Sequence, residues 1–380
     1  MEKIRLGKFC VDKIDNVSAQ GDYDIDYIDI SSVDNVTKKI TGFNTFSILE
    51  APSRAKQMLE KNDVLVSTVR PNLNAIALCD IDSENTLVGS TGFCVLRGND
   101  KVDSRYLFYF CQSKYFINEL MNVATGASYP AVSKNDIKNV LIPNITLEKQ
   151  TEIVEILDSI RGILNHRKEQ LKLLDDLIKS RFVEMFGDTI SNNKNWEIKQ
   201  LQELGLWKSG GTPSRANKYY FNGDINWYSA GELNELYLKE SVEKITREAV
   251  EESSAKIFNK GSMLVGMYDT AAFKMGILEK DSASNQACAN IMPNENINIV
   301  WLYFNLLHMK EHFLNNRRGI RQKNLNLGMI KEFEIPVPAI ELQNEFVSFV
   351  QQVDKLKVNV QKSLDETKIL FDSLMQNYFG

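Results

Sequence analysis

Residues 140–155 read VLIPNITLEKQTEIVE, and residues 333–347 read FEIPVPAIELQNEFV. Each stretch has an isoleucine–proline pair that is followed by a glutamate, a glutamine and a second glutamate at the same spacing. The second stretch lies 193 residues after the first, since Pro143 matches Pro336. Similarity at a fixed shift is the signature of an internal repeat. The sequence therefore predicts a duplicated module.

The repeat extends well beyond these two stretches. A shift of 193 residues aligns 126–187 with 319–380 without a gap. The aligned pairs include Gly126 with Gly319, Leu171 with Leu364, and Phe186-Gly187 with Phe379-Gly380. The preceding regions resemble each other more weakly: 61–66 (KNDVLV) and 260–265 (KGSMLV) both read as a turn that enters a buried strand. We infer two globular regions, each followed by the same carboxyl-terminal element.

That element has the pattern of a long helix. From Leu147 to Phe186, apolar residues recur at alternating steps of four and three, which is a heptad seam. The first seam reads Ile153, Leu157, Ile160, Leu164, Arg167, Leu171, Leu174, Ile178, and the second reads Phe346, Val350, Val353, Lys357, Val360, Leu364, Thr367, Phe371, Leu374, Tyr378. A helix of about 40 residues would be ~60 Å long at ~1.5 Å per residue. We expect the two helices to pair antiparallel as a spacer; a helical hairpin inside a larger core is the alternative.

The predicted fold class is therefore α+β, with two globular α/β domains, two long antiparallel coiled-coil helices between them, and a pseudo-two-fold internal repeat. We expect globular domains at 1–145 and 188–338, and long helices at 146–187 and 339–380. A hydrophobic fraction of 43% and a charged fraction of 25% fit folded domains rather than disorder.

The sequence also indicates the cellular compartment of the protein and the redox state of its cysteines. No apolar stretch is long enough to cross a membrane, and the amino terminus does not read as a signal peptide, so we expect a soluble cytoplasmic protein without a membrane partner. The five cysteines are scattered and odd in number, which favours reduced, buried thiols. The net charge of −5 means that any phosphate binding must depend on local clusters of cations.

Motifs for catalysis are weak. His308, Glu311 and His312 spell H-x-x-E-H, the signature of an inverted zinc peptidase, but two histidines four apart on an apolar helix also arise by chance. The sequence has no Walker A motif, no G-x-G-x-x-G and no G-x-S-x-G. We predict no catalytic residue, no cofactor and no metal, and keep the metallopeptidase as an alternative that a zinc analysis would settle.

Five segments carry candidate binding residues. The most basic run combines phosphate-binding cations with side chains that can pair with base edges: Arg317, Arg318, Arg321, Gln322, Lys323 and Asn324. The matching glycine loop of the first half contributes Ser128, Tyr129 and Lys134. A turn at 208–215 contributes Thr212, Ser214 and Arg215, and two strand exits contribute Tyr268 and Thr270, and Arg70 and Asn72. An ordinary solvated loop is the alternative at each place.

The whole pattern resembles the specificity subunit of type I restriction–modification systems. The resemblance rests on 140–155 and 333–347, which look like that family's boundary between a target recognition domain and its helix, and on 196–215 and 220–233, which resemble the opening of such a domain. The first half lacks the G-x-T-P-S turn found at 210–214.

The resemblance implies a non-catalytic protein whose two target recognition domains each read half of a split sequence in double-stranded DNA. The helices would set the unread spacer and position two adenine methyltransferase subunits, with a motor-nuclease subunit where one is present. A coiled-coil protein–protein scaffold with no role on DNA is the alternative.

Overall fold

The chain divides into two compact units. The computed structural model describes residues 2–18, 21–315 and 325–380. Unit 1 consists of Met1–Lys168 with Gln361–Gly380, and unit 2 consists of Glu169–Val360. Each long helix has its residues divided between the two units, whereas the sequence assigned each helix to a domain of its own. The four-domain division stays a prediction.

The first half of the chain supplies most of unit 1. Its elements are, in order, β1 (Lys3–Arg5), β2 (Asp24–Ile28), β3 (Asn44–Ser47), β4 (Ala55–Met58), β5 (Val64–Ser67), β6 (Ile76–Leu78), β7 (Thr86–Ser90), β8 (Phe93–Leu96), α1 (Ser104–Gln112), α2 (Lys114–Val123), α3 (Lys134–Asn139), β9 (Leu141–Pro143) and α4 (Leu147–Phe186). The strands form sheets of order β3-β2-β7-β4, β6-β5-β8 and β1-β9.

The second half follows the same plan with insertions. Its elements are β10 (Glu197–Gln200), β11 (Gly205–Ser209), β12 (Ile225–Tyr228), β13 (Tyr237–Leu238), β14 (Glu243–Ile245), α5 (Arg247–Glu251), β15 (Met263–Gly266), β16 (Met275–Leu278), β17 (Ala283–Ser284), β18 (Cys288–Pro293), α6 (Ile299–Asn315), α7 (Leu327–Glu332), β19 (Glu334–Val337) and α8 (Ile340–Phe379). The sheet orders are β11-β18-β15-β16-β13, β14-β12-β17 and β10-β19.

In each unit, one central strand points its side chains alternately into hydrophobic clusters on the two faces of its sheet. In β5, Val64 and Val66 face the cluster that contains the α1 aromatics, and Leu65 faces a second cluster on the other side of the sheet. In β15, Met263 and Val265 face one cluster and Leu264 faces another. Both strands are fully buried, which explains why their sequences are continuous apolar runs rather than alternating ones.

The ends of the long helices join these cores. In unit 1, Phe379 near the end of α8 is fully buried and packs against Tyr106 and Phe110 of α1. In unit 2, Phe186 at the end of α4 is equally buried and packs against Trp301 and Phe346. Each unit thus contains the first part of one long helix and the last part of the other, as expected for an antiparallel pair.

The predicted heptad seams are the inner faces of the helices. The first three seam residues of α4 and of α8 are buried, as is Ile178 at the end of the first seam, and the others are half-buried. Gly187 follows α4 with φ of +76° and donates its N–H to Val183 O at 2.8 Å, which caps the helix in the left-handed conformation that favours glycine.

A buried glutamine repeats the same hydrogen bonds in both units. Gln150 and Gln343 lie 193 residues apart, and both are 0% exposed. Oε1 of Gln150 accepts from the Asp103 N–H at 2.9 Å, and Oε1 of Gln343 accepts from the Asn298 N–H at 2.9 Å. Each Nε2 donates to two backbone carbonyls at 2.9–3.2 Å: Lys101 and Ile145 in unit 1, Asn296 and Pro338 in unit 2. The duplication therefore extends to individual side-chain contacts.

The remaining general features concern cysteines and membrane spans. All five cysteines are buried and free, as their scatter suggested. Burial raises the pKa of the Cys79 and Cys94 thiols to about 11, so both are protonated near neutral pH. None of the helices in the described part of the chain combines the length and the apolar run that a bilayer crossing requires.

Candidate nucleic-acid interface

Three surface segments meet at one place in unit 1, which we call the unit 1 junction. They are the loop after β5 (68–74), the turn between β7 and β8 (91–92) and the loop before α3 (124–132). The Thr68 N–H donates to Gly92 O at 2.9 Å, and the Val132 N–H donates to Thr68 O at 2.9 Å. The Thr68 hydroxyl also donates to Gly92 O at 2.9 Å, so backbone and side-chain hydrogen bonds together hold the three segments in place.

Arg70 and Tyr129 form the most structured feature of the unit 1 junction. The Arg70 N–H donates to Pro130 O at 2.6 Å, and its guanidinium carbon lies 3.7 Å from the centre of the Tyr129 ring. Arg70 has φ of +48°, a left-handed conformation that is unusual for a residue with a Cβ and is found often at functional sites. Tyr129 is 58% exposed and Arg70 is half-buried, so the stacked pair reaches the surface.

The other predicted residues of unit 1 divide into two groups. Asn72 and Ser128 are exposed on the same two loops as Arg70 and Tyr129. Lys134 is exposed as a residue, but its Nζ donates to Oε1 of the buried Gln57, and desolvation lowers its pKa. Lys134 is thus a framework contact of the unit 1 junction as much as a surface cation.

Unit 2 has the equivalent arrangement, the unit 2 junction. It consists of the loop after β15 (267–271), the turn between β17 and β18 (285–287), and the described end of the segment before α7, which starts at Leu325. The Met267 N–H donates to Ala287 O and the Leu325 N–H donates to Met267 O, both at 2.9 Å. These two bonds match those of Thr68 and Val132. Tyr268 is 39% exposed and Thr270 is exposed on the first of these loops.

The turn at 208–215 adjoins the unit 2 junction. The Gly211 N–H donates to Ser284 O at 2.9 Å, and Thr212 Oγ1 donates to Gln286 Oε1 on the β17–β18 turn. A Cβ on Gly211 would lie 2.1 Å from Ser254 O, which explains the glycine. Ser214 is exposed.

Arg215 is engaged in a local ion pair. Its two terminal nitrogens donate to the two carboxylate oxygens of Glu243 at 2.5 and 2.7 Å, and its guanidinium lies 4.3 Å from the Phe221 ring centre. The hydrogen bonds to Glu243 raise the pKa of Arg215, and those from Arg215 lower the pKa of Glu243. A nucleic acid would have to compete with Glu243 for this side chain.

The most basic predicted run, Arg317, Arg318, Arg321, Gln322, Lys323 and Asn324, lies outside the described residues. Its predicted counterpart in the first half is described, and Gly126 there has φ of +96°; a Cβ would lie 2.7 Å from Tyr129 O. Glycine is therefore needed for the shape of that loop.

The metallopeptidase alternative requires a set of zinc ligands around His308. Nε2 of His308 lies 3.4 Å from Asp188 Oδ1, which can accept its proton in a hydrogen bond, and the imidazole ring packs 5.6 Å from that of Phe182. Within residues 2–18, 21–315 and 325–380, no three His, Cys, Asp and Glu side chains cluster as metal ligands.

Sequence reasoning missed Gln286 and Gln57. Gln286 is exposed on the β17–β18 turn next to Thr212, and Gln57 is 4% exposed beneath Lys134. Neither glutamine belongs to a sequence motif. Each joins a candidate site only because a segment that is distant in sequence packs against it.

Comparisons with known proteins agree on one family. The family described as "Type I restriction modification DNA specificity domain" matches residues 3–173 and again residues 193–367. The EcoR124I/EcoR124II specificity subunit of Escherichia coli is 27% identical over 231 residues, which cover 58% of this chain and 56% of that protein. This chain thus aligns with little more than half the length of that relative. The MjaIX specificity subunit of Methanocaldococcus jannaschii is 22% identical over 324 residues, which cover 77% and 72%.

Solved structures share the fold over the full length. A chain from the structure titled "Structural basis underlying complex assembly and conformational transition of the type I R-M system" superposes with a TM-score of 0.70 at 23% identity, covering 100% of this chain and 97% of that one. The S subunit from M. genitalium superposes with a TM-score of 0.59 at 15% identity, covering 100% and 96%. The predicted fold class and the prediction of a non-catalytic specificity subunit are both confirmed. This chain belongs to the family of type I restriction–modification DNA specificity proteins.

Proposed function

We propose that this chain is the DNA sequence-recognition subunit of a type I restriction–modification complex. Each junction reads one half of a bipartite target in double-stranded DNA. The long helices position two adenine methyltransferase subunits, and a motor-nuclease subunit joins where the cell makes one. The domain division at 1–145, 146–187, 188–338 and 339–380 belongs to this proposal.

One observation carries the proposal: the two junctions share a backbone framework but differ in their surface side chains. The paired 2.9 Å hydrogen bonds of Thr68 and Met267 place equivalent loops at equivalent positions. The side chains on those loops are unrelated, with Arg70 and Asn72 in unit 1 and Tyr268 and Thr270 in unit 2. Shared geometry with different polar side chains suits two readers of different sequences.

The chemistry of the unit 1 junction fits base recognition. An arginine that is stacked on an aromatic ring keeps its N–H groups in one plane, and such a group can donate two parallel hydrogen bonds to guanine O6 and N7. Arg70 over Tyr129 has this arrangement. Asn72 on the same loop carries the amide that pairs with adenine N6 and N7.

Exposed apolar residues on the helices suit a protein partner. At the heptad position beside the seam, unit 1 exposes Ile156 and Ile163 of α4, which lie seven residues apart on one helix face. Unit 2 exposes Leu356 of α8, which is the counterpart of Ile163 at the shift of 193, and Leu177 of α4. We propose that these faces, present in both units, receive the two methyltransferase subunits.

The net charge of −5 limits how tightly this chain alone can hold DNA. Phosphate contacts supply much of the affinity of DNA-binding proteins. The isolated chain is therefore expected to bind DNA weakly, with the methyltransferase subunits adding backbone contacts. Tight, salt-resistant binding by the chain alone would refute this part of the proposal.

The experiment maps methylated adenines in host DNA with the intact gene, without it, and with Arg70→Ala. The gene should produce methylation at one bipartite motif. Because Arg70 is assigned to one base pair, Arg70→Ala should relax one position of one half-site, at a cost of about 1–3 kcal/mol. The matched control is Lys101→Ala, an exposed cation of unit 1 away from the junction. Methylation of the same motif without the gene would overturn the proposed function. An unchanged motif in a normally folded Arg70→Ala variant would overturn the assignment of Arg70 to one base pair.

A further inference from the structure

A cleft of about 1150 Å³ lies entirely within unit 1 and shares only Asn74 with the unit 1 junction. Its walls are the loop 36–40, the corner between α1 and α2 at 112–115, and faces of α4 and α8. The volume is slightly above the roughly 300–1,000 Å³ of typical small-molecule pockets, so the cleft has room for a compound the size of a nucleotide. Nothing in the proposed function uses this cleft.

Its lining is strongly basic. The lysines and arginine that line it are Lys38, Lys39, Lys114, Arg161, Lys168 and Lys368, and the carboxylates are Asp80, Asp365 and Asp372. The three carboxylates are exposed, whereas Lys38 and Arg161 are half-buried. The excess of positive charge is therefore concentrated in the inner part of the cleft.

Among the residues that the structure describes, no carboxylate pairs with Arg161. Its guanidinium packs 4.5 Å from the ring centre of Tyr109 and donates to Gln112 Oε1 at 2.8 Å. The nearest acidic group that acts on it, Asp158, already accepts from Arg105 and Tyr109. Burial lowers the pKa of Arg161, which shows the cost of keeping this charge out of water.

Lys38 is the second such cation. It has φ of +60°, in a turn where the Asp34 carboxylate accepts from the N–H groups of Val36 and Thr37 at 2.7 Å. Its Nζ donates to Asn74 O at 2.5 Å. Burial and the charge of Arg161 lower the pKa of Lys38 to about 8, against a smaller opposing effect of Asp34.

Asn74 adds a second unusual group beside Lys38. It too is left-handed, with φ of +52°, and its Oδ1 is buried without a hydrogen-bond partner among the described residues. Unpaired buried polar atoms are rare in folded proteins and call for an explanation. A ligand hydroxyl or a protonated anion in the cleft would satisfy this acceptor.

The internal repeat provides a comparison for these charges. At the shift of 193, Arg161 corresponds to Asp354 and Lys368 corresponds to Asp175, both in unit 2. There, Lys357 forms ion pairs with both carboxylates, so both charges have a partner within the chain. The helices do not require a cation at either position. The unpaired cations are a special feature of unit 1.

We propose that the unit 1 cleft binds a phosphate-bearing ligand of nucleotide size, with Lys38 and Arg161 as its inner contacts. A buried cation is normally paired, and a phosphate group supplies both the charge and several acceptor oxygens. The exposed lysines at the rim suit further phosphates, and the rings of Phe108, Tyr115 and Phe371 suit a base. The phosphate can come from a free nucleotide or from a DNA backbone.

The test is calorimetric titration of the full chain with sodium pyrophosphate and with ATP. We expect saturable binding to one site, and affinity reduced about tenfold or more in Arg161→Gln and in Lys38→Gln, the loss typical of one hydrogen bond between charged groups. Lys355→Gln, which removes an exposed lysine of α8 in unit 2, is the matched control and should bind like the parent. Circular dichroism checks folding; if one variant fails to fold, the other decides.

Competition with DNA distinguishes a free nucleotide from a DNA backbone as the source of the phosphate. Release of ATP by a short DNA duplex assigns the site to the DNA backbone, and retention of ATP assigns it to a free nucleotide. The proposal is overturned if neither compound binds, if both variants bind like the parent, or if an acidic peptide binds and the phosphates do not. Adenine methylation in cells is read separately, so the failure of this inference is distinguishable from failure of the proposed function.

Discussion

Replacement of the buried glutamines tests whether the repeated network holds each unit together. Gln150→Ala removes three hydrogen bonds of unit 1 and deprives three part-buried backbone groups of this partner. Each bond contributes roughly 0.5–1.5 kcal/mol net, so the expected loss is about 3 kcal/mol. In a domain of about 150–250 residues, 1 kcal/mol corresponds to roughly 2–4 °C in Tm, so the expected decrease is roughly 6–12 °C. Gln343→Ala should have the same effect in unit 2 because its three bonds match.

The location of the effect is as informative as its size. Hydrogen exchange with mass spectrometry should show faster exchange of the Asp103 amide region in Gln150→Ala, and of the Asn298 region in Gln343→Ala. The control is Gln352→Ala on the exposed face of α8, which should leave both unchanged.

Two results would refute the reasoning. Decreases in Tm of less than about 1 °C in both variants would mean that water replaces the glutamine without cost. Exchange that increases equally in both units would mean that the glutamines act on the whole chain rather than on the unit that contains each of them.

Three further predictions follow from single features of the helices and the cleft. Gly162→Ala should raise the free energy of unfolding by about 1 kcal/mol in urea titration, since Gly162 lies inside α4 and no atom lies within 4 Å of the added Cβ; a lower midpoint would contradict this. Ile163→Glu and Leu356→Glu should each reduce co-purification of the methyltransferase without lowering Tm, because both side chains are exposed; undiminished co-purification would remove these faces from the interface. Binding of ATP should weaken as the pH rises through about 8, because Lys38 loses its proton there, and Lys38→Gln should abolish this dependence; the same pH dependence in Lys38→Gln would exclude Lys38 as its origin.

The helices could be predicted because their signal is periodic and local. A seam with steps of four and three requires only neighbouring residues, and α4 and α8 span Leu147–Phe186 and Ile340–Phe379. The buried strand β5 could be predicted for the same reason, since four consecutive apolar or small residues follow a turn. The repeat also picked out Gly126, whose φ of +96° leaves little choice of residue.

The contacts that define the sites could not be predicted in this way. Arg215 was assigned to DNA from a local run, but its partner Glu243 is 28 residues away and pairs with it only because β14 packs nearby. Lys38 and Arg161 share a cleft although more than a hundred positions separate them in the sequence. Such pairings depend on the tertiary packing of segments that are distant in sequence, and the periodicity of a sequence carries no information about this packing.

Some contacts are repeated in both halves of the chain and others occur in one half alone, and this contrast indicates how the halves could diverge. The repeated contacts are backbone hydrogen bonds, such as those of Thr68 and Met267, and buried side chains such as Gln150. None of them involves an exposed loop side chain, so a change at Arg70 or Tyr129 leaves every repeated contact in place. A junction can therefore acquire new polar groups without loss of its geometry. The same freedom explains how one copy of the helix could acquire Arg161 while the other acquired Asp354, because each position lies outside the shared network.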